Sequence, residues 1–458
     1  MMDAKAAKKA LMEAGLKAPE ATLKMTTADN GNGEYSESVI NYIIKDYQKT
    51  SDVQEESSVT DDIREEALQQ IREGTCFQYI LESCMKHHVC ASKSERHVLE
   101  ALVYSCASTR VYNCEGIDIG IVGTPGAGKS HAAETAGNHF DRVLDGFMSS
   151  KVHSRLGACG LLKPGTVIYQ DDQKLDEAAS GIYKASHSGN WNKEYKSHTI
   201  KGNNHEIEEG VIPPRCPRWL VYATGMDDNQ ITSREIYLHA DDSIEQKLMI
   251  REKQNADDEN PFLATDTRSM EVSKQIWREL GDEPFIVMIP FARRIECDEG
   301  EGNRTYNMMR TLVKCSAVLA KGKRETVESA DGRTAIVANE DDFKAAATLM
   351  NDLIMGVGGS QKHKLTPAGE RILNYFIEHY AENGDSSGAF FTFKEVEDAL
   401  IISESDLSRA KSKLTEIPGI RVDRDPENIH PNAKRFEFSY DTYMSWSGSL
   451  GYYTLKDE

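Results

Sequence analysis

Apolar positions follow two periods along this chain, and the change from one to the other marks its elements. Ile63, Ala67 and Ile71, then Leu99, Leu102, Val103 and Cys106, recur every three or four residues and predict amphipathic helices between Asp61 and Val111. Ile117, Ile119, Ile121 and Val122 form instead a short β-branched run of the kind that makes a buried strand. His131 to Phe140 returns to helix-compatible composition through Ala132, Ala133, Glu134 and Ala136. Two further apolar runs predict strands: Thr166 to Asp172, ending in two acids, and Arg218 to Thr224, ending in a hydroxyl. Between them, Ser197 to Glu208 reads as a β-hairpin turning at Gly202-Asn203-Asn204.

Residues 243–282 read as largely helical, and Glu283 to Pro290 is an apolar run bounded by prolines. A helix over Arg304 to Arg324 carries Met308, Leu312, Cys315 and Leu319 on one face, and a second over Asp341 to Met355 carries Phe343, Ala346, Leu349 and Leu353. Gly356-Val357-Gly358-Gly359-Ser360 is a linker. After it, Leu365 to Glu370 opens a helix, Phe393 to Leu400 and Ser403 to Leu414 follow with Thr392 and Ser403 as N-caps, and Arg421 to Phe438 has strand-like ends. That order reads as a winged helix, with Ser403 to Leu414 presenting Arg409, Lys411 and Lys413 to a ligand. The neighbouring acids Glu395, Glu397, Asp398, Glu404 and Asp406 weigh against DNA, so DNA and protein contact both stay open for this unit. The expected divisions are a flexible polar tail at 1–60, a helical preamble at 61–115, a nucleotide-binding core at 116–290, a helical lid at 291–355, a linker at 356–364 and the winged-helix domain at 365–458.

Composition narrows the class. A chain of 458 residues, 39% hydrophobic and 28% charged, has room for about three globular domains. It has no run of eighteen apolar residues, and Lys5, Lys8, Lys9, Glu13 and Lys17 break up the start, so neither membrane contact nor export is expected and the cytoplasm is the default. Nine cysteines without a C-x-x-C pair argue for reduced thiols. Cys84, His87, His88 and Cys90 lie close enough to suggest a metal, but their helical setting favours packing, since a structural zinc site usually pairs two separated clusters. A net charge of -20 would repel a polyanion, so any nucleic-acid contact needs a local basic feature.

The most specific chemistry is Gly123-Thr124-Pro125-Gly126-Ala127-Gly128-Lys129-Ser130, set between a strand and a helix. Its glycines let backbone N–H groups converge on phosphates, the helix N-terminus adds its positive dipole end, Lys129 reaches the β- and γ-phosphates, and Ser130 is placed to hold Mg²⁺. ATP with Mg²⁺ is the expected ligand. About forty residues on, Asp171 can position Mg²⁺ and Asp172 can orient or deprotonate the attacking water. Thr224 could touch the γ-phosphate, and Arg234 could stabilise transition-state charge on a neighbouring subunit's nucleotide.

Phosphate loop, acidic strand, sensor strand and then Ser233-Arg234 ahead of an apolar run: this order resembles the AAA+ ATPases, and among them the MCM-like helicase branch, over roughly residues 70 to 355. Ser233-Arg234-Glu235-Ile236 looks like that branch's Ser-Arg-Phe-Asp finger. The resemblance implies an α/β fold with a parallel P-loop sheet flanked by helices, a helical lid, and a homo-oligomeric ring, a hexamer, with nucleotides between subunits. It also implies a hairpin in the pore whose lysine contacts single-stranded DNA; Lys201 adjoins the turn here, with Lys193 and Lys196 just before it. Arg304 would be the second sensor arginine, with Arg310 as runner-up. Two features depart from the branch: Asp171-Asp172 stands where Asp-Glu is usual, as in superfamily 3 helicases, and no zinc-bearing N-terminal DNA-binding domain is evident in the sequence. The expected function is ATP-driven DNA translocation or unwinding; the alternative is an AAA+ switch or loader acting on a protein partner.

Overall fold

The computed structural model describes residues 2–13, 34–35, 61–145, 157, 160, 162–171, 180–184, 191–201, 206–222, 229–260, 266–297, 303–330, 332–355, 365–385, 388–426, 428, 430, 433–448 and 453–456. Most of the 1–60 tail, the 356–364 linker, the turn Gly202-Asn203-Asn204, Asp172 and Thr224 lie outside the described residues. Within the tail, a helix over Ala4–Glu13 buries Ala7 and Leu11, and Met2–Asp3 pairs with Glu34–Tyr35.

Five strands form an all-parallel sheet in the spatial order Val143–Asp145, Val167–Asp171, Arg218–Tyr222, Asp118–Val122, Glu235–His239. The two central strands, Asp118–Val122 and Arg218–Tyr222, are buried at every position. Continuous apolar runs such as Ile119-Gly120-Ile121-Val122 suit this, because helices cover both faces of a parallel sheet. One cover is the helix Lys93–Ser108, capped by the Ser92 hydroxyl accepting from the Glu95 N–H and buried along most of its length. Ser105 ties it to the sheet: its hydroxyl donates to the Ile117 carbonyl at 2.6 Å and accepts from the Trp219 indole N–H at 2.9 Å.

The helices Asp61–Glu73, Cys76–His87 and Thr267–Leu280 pack together beside this sheet, and their apolar residues join its core. The last starts under an Asp266 cap and ends at Gly281, whose φ of 80° suits glycine. The expected helix over Arg304 to Arg324 runs from Asn303 to Leu319, and the one over Asp341 to Met355 starts at Glu340. Between them the sequence reading missed two strands: Thr326–Glu328 and Thr334–Val337 form a hairpin, and the second pairs in parallel with Ile286–Met288.

The remaining residues build a second core. The helix Pro367–His379 precedes strand Gly388–Thr392, helices Phe393–Leu400 and Glu404–Leu414, and strands Ile420–Arg424 and Lys434–Phe438. The strands, with Gly384–Asp385, make a four-stranded antiparallel sheet. Phe376, Phe391, Phe436 and Phe438 pack together at its centre, Phe376 stacked on Phe391. Thr392 and Glu395 form a reciprocal capping box that fixes where one helix begins. The chain then returns to the first half, where Thr454–Leu455 pairs antiparallel with Ile295–Glu296 and buried Tyr453 stacks on Tyr306.

Candidate nucleotide site

Asp118–Val122 runs directly into the loop of Gly123 to Gly128, and the helix Lys129–Asn138 leaves it. Gly126 and Gly128 hold φ of 82° and 87°, a region in which a side chain is strained, so the glycines there are a requirement of the turn. Gly128 caps the helix in the left-handed conformation, which turns the first helical N–H groups, without intrahelical partners, toward the loop. The Lys129 amine is buried and donates to the carbonyls of Gly123 at 3.0 Å and Thr124 at 3.1 Å, which holds it over the loop. The Thr124 hydroxyl donates to Asp242 at 3.3 Å. Convergent amides, a helix N-terminus and an amine make a site for a polyphosphate.

The sheet register sorts the other candidates by end. Asp171 pairs with Val221 and Val122 with Tyr222, so exposed Asp171 closes its strand at the same end of the sheet as the phosphate loop. His239 also pairs with Val122 at that end, and its ring meets Glu370 of the second core at 2.6 Å. Arg234 stands at the other end: it precedes Glu235, which pairs with Asp118, the first residue of the strand feeding the loop. A five-residue strand is roughly 16 Å long, which puts Arg234 beyond reach of its own phosphate loop.

Arg304 lies at the start of the helix Asn303–Leu319. Its guanidinium donates to the Ser233 hydroxyl, so it sits beside Arg234 and not at the phosphate loop of the same chain. The helix Asn303–Leu319 begins at that far end of the sheet, which sets where Arg304 can reach. Arg310, the runner-up, lies over the ring of Tyr306, 5.9 Å from its centre.

A polar chain behind the loop was not foreseen. Glu95, fully buried, holds His88 Nε2 at 2.6 Å and accepts the Asp241 N–H at 2.8 Å; His88 Nδ1 meets His131 Nδ1 at 2.8 Å. Burial and the adjacent His88 lower the pKa of His131. The three residues come from a turn, a helix and the phosphate-loop helix, so no local spacing announces them; the only hint was the histidine of the Cys84 to Cys90 cluster. Cys84 is packed in the core, and its burial pushes the thiol up to about 12.

The hairpin between the acidic strand and Arg218 pairs Tyr195–Lys201 with Glu206–Ile212, longer than Ser197 to Glu208, with Lys201 opposite Glu206. Lys196 is exposed on its first strand. In the second core, Arg409 is exposed but donates to Asp406 at 2.9 Å, while Lys411 is half-buried. Asp406 thereby neutralises part of the charge that this helix would offer a polyanion.

A parallel sheet with a glycine loop, a buried lysine and a helix N-terminus at one end fits a P-loop NTPase. Consistent with this class, residues 58–283 match the family described as the MTBMA_p00010 P-loop domain. No curated protein matches the chain. Domains of this class generally bind nucleotide with Mg²⁺. Among the described residues, no helix is long and apolar enough to cross a membrane.

Proposed function

We propose that the chain is an ATP-hydrolysing AAA+ motor of MCM-like type, which assembles as a ring, a hexamer, and translocates on or unwinds DNA. The observation that carries the reading is the sheet order. The strand Arg218–Tyr222 is inserted between the phosphate-loop strand and the acidic strand, which leaves the acid one strand away from the strand that feeds the loop. The extended hairpin between the acidic strand and Arg218–Tyr222 supports a pore element, and the helices and sheet of residues 367–438 support a winged helix.

Under this reading Gly126, Gly128, Lys129 and Ser130 bind the phosphates, and Ser130 with Asp171 would hold Mg²⁺, which when bound would supply neutralisation of the phosphate charge. The loop fits that role through its two left-handed glycines and its buried amine. Asp172 orients and deprotonates the water, and Thr224 contacts the γ-phosphate. Arg234, too far to serve its own site, acts on a neighbour's, and Arg304 beside it joins that action across the subunit boundary. Hydrolysis moves the hairpin, whose Lys196 and Lys201 grip single-stranded DNA, while Arg409 and Lys411 add a second contact. The acidic setting of Arg409 favours a second reading for the C-terminal unit, a protein-docking module on a nucleotide-dependent switch or loader.

Hydrolysis measured with and without single-stranded DNA, for wild type, Lys129→Ala and Lys201→Ala, separates these. A motor shows a DNA-stimulated rate that Lys201→Ala removes while basal turnover survives. Hydrolysis that depends on Lys129 and ignores DNA rejects the motor and leaves the switch.

A further inference from the structure

Beside the phosphate loop lies a cavity of about 380 Å³, within the range of small-molecule sites. Gly126, Gly128, Lys129, Ser130 and His131 form one wall, and His88 and Val89 form another. The third is one stripe of the helix Ile244–Glu259: Ile250, Lys253, Gln254 and Asp257, at the spacing that puts four side chains on a single helix face. The cavity therefore continues from the phosphate amides into a chamber with apolar and polar walls.

His131 lines it with a ring whose hydrogen-bonding sense is set from behind. Glu95 accepts on both oxygens, one from the Asp241 N–H and one from His88 Nε2–H. In the tautomer whose His88 Nδ1 carries no proton, His131 Nδ1 donates to it and His131 Nε2 is left as an acceptor. We propose that this cavity receives the nucleoside of the bound nucleotide, and that His131 positions it by accepting a hydrogen bond at Nε2. The inference rests on the nucleotide reading of the phosphate loop. The donor is an N–H or O–H of the nucleoside, which a purine 6-amino group or a ribose hydroxyl can supply.

The test is equilibrium binding to the full chain of ATP, ITP, which lacks the 6-amino group, 2′,3′-dideoxy-ATP, which lacks the ribose hydroxyls, and inorganic tripolyphosphate. Wild type should bind ATP at least about tenfold more tightly than tripolyphosphate, and one of the two analogues should lose about five- to tenfold, the worth of one hydrogen bond. His131→Ala should bring ATP down to that analogue. Glu95→Gln should invert the chain, because the Asp241 N–H keeps the amide oxygen and turns the amide NH₂ toward His88. His131 Nε2 then donates: with an amino source the preference moves to ITP, and with a hydroxyl source ATP binding is retained. Equal affinities for ATP and both analogues in wild type, or an ATP affinity unmoved in His131→Ala, overturn the proposal while the loss of binding in Lys129→Ala still upholds the nucleotide site. ATP binding that survives Lys129→Ala unchanged overturns both.

Discussion

In the parallel sheet of the first half the central strands are buried residue after residue, whereas in the antiparallel sheet of the C-terminal half Gly388–Thr392 and Lys434–Phe438 bury only alternate residues. The first sheet is covered on both faces, so side chains can meet a ligand only where its strands end. There the Gly123 to Ser130 loop, Asp171 and His239 gather. The second sheet sets one face on a phenylalanine core and leaves the other to the surface, where Arg435 lies over Phe390 at 3.9 Å. Its interactions therefore belong to a face and to the helix Glu404–Leu414. One sheet gathers its polar groups at its strand ends, and the other leaves one face exposed.

The comparison can be broken by cutting each sheet in turn. Trp219→Ala removes a fully buried ring from the strand beside the phosphate-loop strand, along with its bond to Ser105, and should cost about 3–5 kcal/mol. Phe376→Ala should cost a similar amount in the C-terminal core. The two should differ in consequence: nucleotide affinity should fall with Trp219→Ala and stay within about twofold in Phe376→Ala under conditions where both remain folded. Denaturant unfolding paired with nucleotide titration checks this, and equal losses of affinity would mean that the two halves are not separate in function.

The first half supplies a pH dependence in the acidic range. Buried His139 donates at Nδ1 to the Thr135 carbonyl and lies 2.9 Å at Nε2 from the Ser83 hydroxyl, and its burial lowers its pKa to about 4. The unfolded chain takes up this proton at higher pH than the folded one, so the contribution is complete above about pH 6.5 and is lost as pH falls toward 4, by up to about 3 kcal/mol. Urea unfolding at pH 7.5 and pH 5 should show part of that loss, and His139→Gln should flatten it.

The smallest expected effect falls in the C-terminal half. Ile401, between its two central helices, holds φ of 51° and is 91% exposed. A β-branched residue is strained there, so Ile401→Gly should raise stability by roughly 1 kcal/mol. A thermal melt checks it; a loss of stability would mean that the Ile401 side chain makes contacts that outweigh the strain.

How much of this the chain discloses depends on whether the chemistry is contiguous. The phosphate loop was legible because its amides, lysine and serine must follow one another on one turn. The strands Asp118–Val122, Val167–Asp171 and Arg218–Tyr222 were legible as apolar runs, yet their order in the sheet was not, since neighbours in a parallel sheet are set by the crossovers between them. Arg304 was assigned by its place at a helix start, and the structure puts that start beside Ser233, at the far end of the sheet. Glu95, His88 and His131 come from three segments, so only their meeting in space reveals a chain. Thr334–Val337 was missed because it is four residues long and partly exposed, too short for a period to show.

The most direct test of the central claim is calorimetric titration of Mg²⁺–ATP into the full chain and into Lys129→Ala. The account predicts saturable binding at one site per chain, weakened by roughly 100-fold or more in the variant, since the amine that Gly123 and Thr124 hold over the loop is then gone. Binding of equal strength in both proteins would contradict it, and would show that the loop from Gly123 to Ser130 is not where the nucleotide sits.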